Sequence, residues 1–261
     1  MIPQNLAPLK IHARCVADFP TIQNHVRHCM GLGLKVFAPT QESHNLEAVL
    51  VGSGPSVKTQ ISKLKKFRKD PNKVFFGIKG GHDFLIDNKI QPDFGVAVDP
   101  LEKIHKQNFL RKAEKCVYFI ASQCHPTLFD TLVERGENVV IWHLLTASLN
   151  DWSKDPESPV FQHYMIPGGS TSGLRGIVLA HAMGFRKFHL FGYDSCLQGK
   201  RRKVNGEEMY DKKDDEGKDR VIALTVGGKK FLCDPAFASQ ANEFQDLMKS
   251  LWKADDPFYR S

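Results

Sequence analysis

The stretch Ala48-Val-Leu-Val-Gly-Ser-Gly-Pro-Ser56 decides the fold. Its four apolar residues are too few for a helix, and they run without polar interruption, as a strand covered on both faces does. Two glycines then let the backbone turn tightly and come close to a neighbour. Pro55 suits the first turn of a helix, where no amide hydrogen is required. From Ser56 to Arg68, Val57, Ile61, Leu64 and Phe67 fall on one helical stripe. Strand, glycine turn and helix therefore follow one another directly.

The alternation continues along the chain. Lys73–Ile78, Phe94–Val98, Cys116–Ala121, Asn138–Trp142 and Lys187–Phe191 repeat the short, continuous apolar pattern. Helical patterns at Thr127–Arg135 and Thr171–Met183 lie between them and stop at Gly136 and Gly184. The second is apolar almost all round, as a buried helix is. Strand and helix in repeated alternation mean a mostly parallel sheet with right-handed crossovers, a doubly wound α/β fold. Residues 46–200 form the expected core. Residues 1–45 read as an N-terminal extension with a helix near Thr21–Met30. Residues 201–261 begin with a polar, glycine-dotted stretch, Asn205–Arg220, expected to be a mobile loop. They continue as a hairpin, Val221–Val226 and Lys229–Cys233 about a Gly227-Gly228 turn, and end in an amphipathic helix, Phe237–Lys253, packed on the core.

Composition narrows the function. The 261 residues carry 36 Lys and Arg against 29 Asp and Glu, a net charge of +7, which suits an anionic ligand. The basic stretches Lys63–Lys69 and Lys200–Lys203 read first as a solvated helix face and a loop tip. No nucleic-acid motif accompanies them, so nucleic acid is a minor reading. Six cysteines without a Cys-x-x-Cys pair point to a reducing, cytoplasmic setting. No apolar run reaches the length of a membrane span, and the start lacks a secretory pattern. The sequence leaves a homo-oligomer open.

Three groups of residues could carry chemistry. Gly52, Ser53, Gly54, Pro55 and Ser56 combine glycines, hydroxyls and a helix start, the ingredients of a phosphate pocket. The turn lacks the third glycine of the dinucleotide fingerprint, because Val57 stands there. A side chain at Gly54 is expected to fill the phosphate space and leave the fold intact. Gly168, Gly169, Ser170, Thr171 and Ser172 repeat the same combination at the second helix. Either turn also suits simple packing without a ligand. Asp99 and Asp194 follow apolar strands, and carboxylates at strand ends could hold Mg²⁺ against a polyphosphate, with Asp99 the first metal candidate. His125, just beyond another strand, is placed as a general acid or base. His82, His143 and His181 have stronger structural readings.

Taken in order, Gly52–Ser56, Ile90–Pro100, Gly168–Ser172 and Gly184–Asp194 resemble the 6-hydroxymethylpterin diphosphokinase MptE-like family, which includes the domain of flagellar motility accessory factors and is distantly similar to bacterial sialyltransferases. The resemblance implies a Rossmann-like nucleotide-binding domain and a transferase. The donor would be ATP with Mg²⁺ or a CMP or CTP derivative, and the acceptor a small or sugar-like molecule. It would place phosphates on Gly52–Ser56, line the opposite wall with Ser170, Thr171 and Ser172, and put Asp99 at the metal or acceptor end. Lys79 stands where the sialyltransferases carry an asparagine, which favours a phosphate contact. The alternative is a nucleotide- or glycan-binding module without catalysis.

Overall fold

The structure is a computed structural model that describes residues 17–40, 42–197, 221–233 and 235–255. Cys15, Lys200–Lys203 and the loop expected at 205–220 lie outside the described residues. A parallel sheet runs in the order β1 (Lys35–Val36), β6 (Asn138–Leu144), β5 (Val117–Ala121), β4 (Phe94–Ala97), β3 (Lys73–Ile78), β2 (Glu47–Val51) and β8 (Lys187–Phe191). A short strand, β7 (Met165–Ile166), pairs with the end of β6. The doubly wound α/β fold expected from the alternation is what the chain adopts.

The strand period sorts the core into two faces. On one, Leu50, Phe76, Ile78, Val96 and Ile120 are buried together with Ile177 and Val178 of α7 (Ser172–Ala182), which crosses β2, β3 and β4. On the other, Val49, Val51 and Phe75 meet Val57, Leu64 and Leu85. Those three come from a 3₁₀ turn (Pro55–Gln60), α2 (Ile61–Phe67) and α3 (Gly80–Asp87). The single helix expected from Ser56 to Arg68 is thus split. Its first turn is tightened because the Ser56 amide donates to the Asp194 carboxylate at 2.8 Å, and Val57 N–H reaches back to the Gly54 carbonyl.

Several short elements escaped the periodicity, β1 and α3 among them. β1 has only two residues, yet it gives the segment read as an extension an edge place beside β6, and Phe37 N–H extends that pairing to Ile141. Helix α1 (Phe19–Gly31), capped by Asp18, packs on α5 (Pro126–Glu134). α3 begins with Gly80-Gly81, which reads as a helix breaker. Here the glycine is a packing requirement: a Cβ on Gly81 would lie 2.0 Å from the Val51 carbonyl oxygen.

The hairpin and the helix expected near the C-terminus are both present. β9 (Ile222–Val226) and β10 (Lys229–Cys233) form a hairpin whose Gly227 and Gly228 both have positive φ, +56° and +76°. That is the geometry two-residue hairpin turns demand. The hairpin touches the core chain where Leu197 bridges to Leu232, and α8 (Pro235–Asp255) follows.

Gly81→Ala is expected to lower stability by about 2 kcal/mol or more, since the added carbon meets backbone that cannot yield cheaply. Thermal unfolding should show it as a fall of roughly 5 °C or more. Gly31→Ala, whose Cβ would meet nothing within 4 Å, is the control and should change little.

Candidate functional site

Strand order reverses between β2 and β8: β3 to β6 build outward from one side of β2, and β8 lies on its other side. Open α/β sheets place their crevice at the carboxyl ends of such a strand pair. A cavity of about 190 Å³ lies there, lined by Gly52, Ser53 and Gly54 after β2, Lys79 after β3, and Thr171 to Gly173 at the start of α7. Asp194 after β8 and Phe237 and Gln240 of α8 complete it. Ser56 faces an adjoining cleft toward α8.

The first glycine turn is tied to β8 more tightly than its sequence suggests. Gly52 N–H donates to Phe191 at 2.8 Å and Gly54 N–H to Gly192 at 2.9 Å. A Cβ on Gly52 would stand 2.7 Å from the Gly192 oxygen, and one on Gly54 only 2.6 Å from both that oxygen and the Asp194 carboxylate. These glycines are required by backbone approach. A side chain at Gly54 therefore strikes the fold itself, which corrects the expectation of an intact fold. Asp194 takes the Ser56 amide on one oxygen and the Ser56 hydroxyl on the other, so it anchors the turn. Pro55 is buried and has no amide hydrogen. Ser53 is left as the residue of this turn whose amide and hydroxyl have no partner among the described residues.

Opposite stands the amino end of α7. Thr171 caps it, accepting the Leu174 amide at 3.1 Å. The Ser172 and Gly173 amides are first-turn groups without intrahelical acceptors, and they carry the positive end of the helix dipole. Tyr193 holds this end from below, donating its hydroxyl to the Gly173 carbonyl at 3.2 Å, and burial pushes that hydroxyl's pKa up. Gly168, Gly169 and Ser170 do not line the cavity. Ser170 donates its amide and hydroxyl to Glu243 of α8 at 2.7 and 2.8 Å, and Arg175 holds the Gly169 carbonyl at 2.9 Å.

Lys79 links this cavity to a second recess. Its backbone has φ +52°, an uncommon conformation for a residue with a Cβ. Its ammonium pairs with Asp99, and the two side chains are only 21% and 29% exposed. The recess, about 10 Å³, is lined by Lys79, Asp99, His105, Asn108 and His125 among others. His125 caps α5 by accepting the Thr127 amide on Nδ1. A neutral ring with that nitrogen engaged presents Nε2–H as a donor. Burial, with Arg135 nearby, holds His105 below the usual imidazole range, and burial with His25 does the same to His125.

Asp99 and Asp194, expected to share a metal, border different cavities and each has a resident partner. Among the described residues no group of three or more His, Cys, Asp or Glu is placed to hold a metal ion. His82 and His143 are held within the fold. His82 is fully buried between Asp83 and the Tyr118 hydroxyl. His143 bonds Ser122 Oγ at 2.9 Å and His163 at 3.1 Å. Sequence reasoning missed Gly192, His105 and Asn108. Gly192 had a signal, a strand-end glycine like Gly52; His105 and Asn108 had none.

The sheet is Rossmann-like, with a cavity at its strand-order reversal. The chain belongs to the 6-hydroxymethylpterin diphosphokinase MptE-like family, whose sequence profile matches residues 29–200. The MAf glycosyltransferase from Magnetospirillum magneticum AMB-1 has a similar fold, with a TM-score of 0.62 at 15% sequence identity over 88% of this chain. The chain spans only 35% of that protein's length. No curated protein matches the sequence. No helix among the described residues is long and apolar enough to cross a membrane.

Asp194→Ala would strand the Ser56 amide and hydroxyl, and it is expected to cost about 1–3 kcal/mol, read in denaturant unfolding. Burial, reinforced by His163, pushes His143 down to about 3 from an ordinary value of 6.5. Unfolding between those pH values then takes up a proton, so the stability His143 contributes is complete above pH 6.5 and is lost as pH falls toward 3. In His143→Gln, the slope of unfolding free energy against pH between 6 and 4 should be shallower by about one proton.

Proposed function

We propose that the chain is a nucleotide-dependent transferase whose donor phosphate lies between Ser53, Lys79 and the amino end of α7. One observation carries this reading: the donors left unbonded by the fold converge on the cavity where the strand order reverses. Ser53 offers an amide and a hydroxyl, Ser172 and Gly173 offer helix amides, and Lys79, paired at rest with Asp99, lines the same cavity. Such groups are arranged in advance for negative charge that grows as a leaving phosphate departs.

A sugar nucleotide suits the site better than ATP. Lys79 is the cation among the described lining residues, and no pair of acids faces the cavity to share a metal with a triphosphate. In the transfer, an acceptor hydroxyl oxygen bonds to the sugar's anomeric carbon while the bond from that carbon to the phosphate oxygen breaks. The electron pair leaves on the phosphate oxygen, where Lys79 and the α7 amides stabilise it. The hydroxyl proton passes to the acceptor side, where Asp99 is the carboxylate and His125 orients the oxygen through Nε2–H. Asp194 serves by holding the turn. Family membership supports a second reading, diphosphate transfer from ATP to an alcohol, in which Mg²⁺ would supply charge neutralisation for the phosphates.

The test is thermal unfolding with CMP, CTP, UDP-sugars and ATP, each with Mg²⁺ and with EDTA. A ligand at 100 times its Kd adds about 2.7 kcal/mol. For a chain of this size that is a rise of roughly 5–10 °C. A metal-independent rise with a sugar nucleotide or its nucleoside phosphate is expected, and Lys79→Met should reduce it, each rise being read against the same variant without ligand. A rise with ATP that requires Mg²⁺ would instead support diphosphate transfer. No rise with any nucleotide would overturn both.

A further inference from the structure

We infer that the small recess beyond Lys79 is the subsite for the acceptor hydroxyl, and that the Lys79–Asp99 ion pair is the partition a donor phosphate opens. The inference rests on the reading of the larger cavity as the donor site. Lys79 borders both spaces, so the two are neighbours with one side chain between them. The recess has room for about one water-sized group, the size of a hydroxyl and far below that of a nucleotide.

One residue of the lining is short of a partner. Nδ1 of His105 is buried and has no hydrogen-bond partner among the described residues. Buried polar atoms are nearly always satisfied, and an orphan on a residue that lines a recess points to a hydroxyl or water that belongs there. His105 Nε2 lies 3.4 Å from the Thr131 hydroxyl, which fixes the ring. His125 adds Nε2–H, as derived above. Asp99 would supply the acceptor carboxylate, but its charge is held by Lys79.

That last contact makes the two subsites compete for one ammonium. Without a donor, Lys79 neutralises Asp99 and stands in the passage. A phosphate in the larger cavity attracts the same ammonium, and as Lys79 turns toward it Asp99 regains a lone pair directed to the recess. An acceptor hydroxyl can then donate its hydrogen to Asp99 and lose its proton there as its oxygen bonds to the transferred group. The acceptor subsite is therefore complete only once the donor is bound, which leaves no activated oxygen waiting at an empty donor site. The positive φ of Lys79 fits this role, because strained residues persist where a side chain must serve two geometries.

Coupling of this kind is reciprocal: what Asp99 holds, the phosphate must displace. Titration calorimetry with inorganic pyrophosphate tests it without knowledge of the acceptor, using wild type, Asp99→Asn, Lys79→Met and the double variant. Asp99→Asn is expected to bind pyrophosphate at least about fivefold more tightly, the lower end of coupling between sites. That gain should vanish when Lys79→Met is also present. Equal or weaker binding by Asp99→Asn overturns the inference. So does a gain that survives in the double variant, since it reports only the loss of a nearby negative charge. If Asp99→Asn does not fold, Asp99→Ser carries the same comparison. Wild type that binds neither pyrophosphate nor any nucleotide overturns the donor reading itself, and the partition with it; wild type that binds without the Asp99 effect overturns the partition alone.

Discussion

The structure depends on how closely two strand exits approach each other. After β2 and after β8 the chain leaves the sheet through Gly52 and Gly192, and each would place a Cβ 2.7 Å from the other's carbonyl oxygen. A contact that short admits only glycine. It lets Gly54 donate to Gly192, brings Asp194 over Ser56, and so seats the 3₁₀ turn against the second face of the sheet. The reversal of strand order would otherwise leave an open gap at this point. Here the gap is laced shut at its base, and the cavity is what remains above it.

That lacing decides where an anion can bind. A glycine-rich turn before a helix reads as a phosphate cradle because its amides are unpaired. In this chain three of those amides, on Gly52, Gly54 and Ser56, are committed within the fold, and Pro55 has none to give. The binding capacity passes to the facing element. α7 spends its Thr171 hydroxyl on Leu174 and keeps the Ser172 and Gly173 amides directed out of its first turn. Two turns of similar composition thus differ: one spends its donors within the fold, and the other keeps two first-turn amides free.

Composition alone could not separate those roles, because the difference lies in partners that are distant in sequence. The sheet was legible: apolar runs covered on both faces and glycine-stopped helices are local patterns, and they led to the parallel order and to α7. Gly52, Ser53, Gly54, Lys79, Thr171, Ser172 and Asp194, each singled out in the sequence, all line one cavity. Gly168, Gly169 and Ser170 were read by likeness to the first turn, but Glu243, some seventy positions later, takes the Ser170 donors. β1 was invisible because two residues carry no period, and α3 because Gly80-Gly81 signals a break where close packing on β2 demands the glycine. His105 lies on a single helical turn, Glu102–His105, and only the fold brings it to Asp99.

The electrostatics follow from the same economy. A net charge of +7 suggests a strongly positive site, yet much of the basic surface is answered elsewhere. Arg68 forks onto Asp93 at 2.6 and 2.9 Å, Lys73 pairs with Asp70 and Glu47, and Lys63 lies over the Phe67 and Phe191 rings. At physiological salt the surplus at the surface is screened within about 8 Å, so it can draw an anion inward but cannot hold it. Lys79, the cation lining the cavity among the described residues, is already balanced by Asp99 at rest. On the proposed reading, a donor phosphate therefore exchanges one partner of Lys79 for another, and its contacts along the α7 amides and Ser53 favour that exchange.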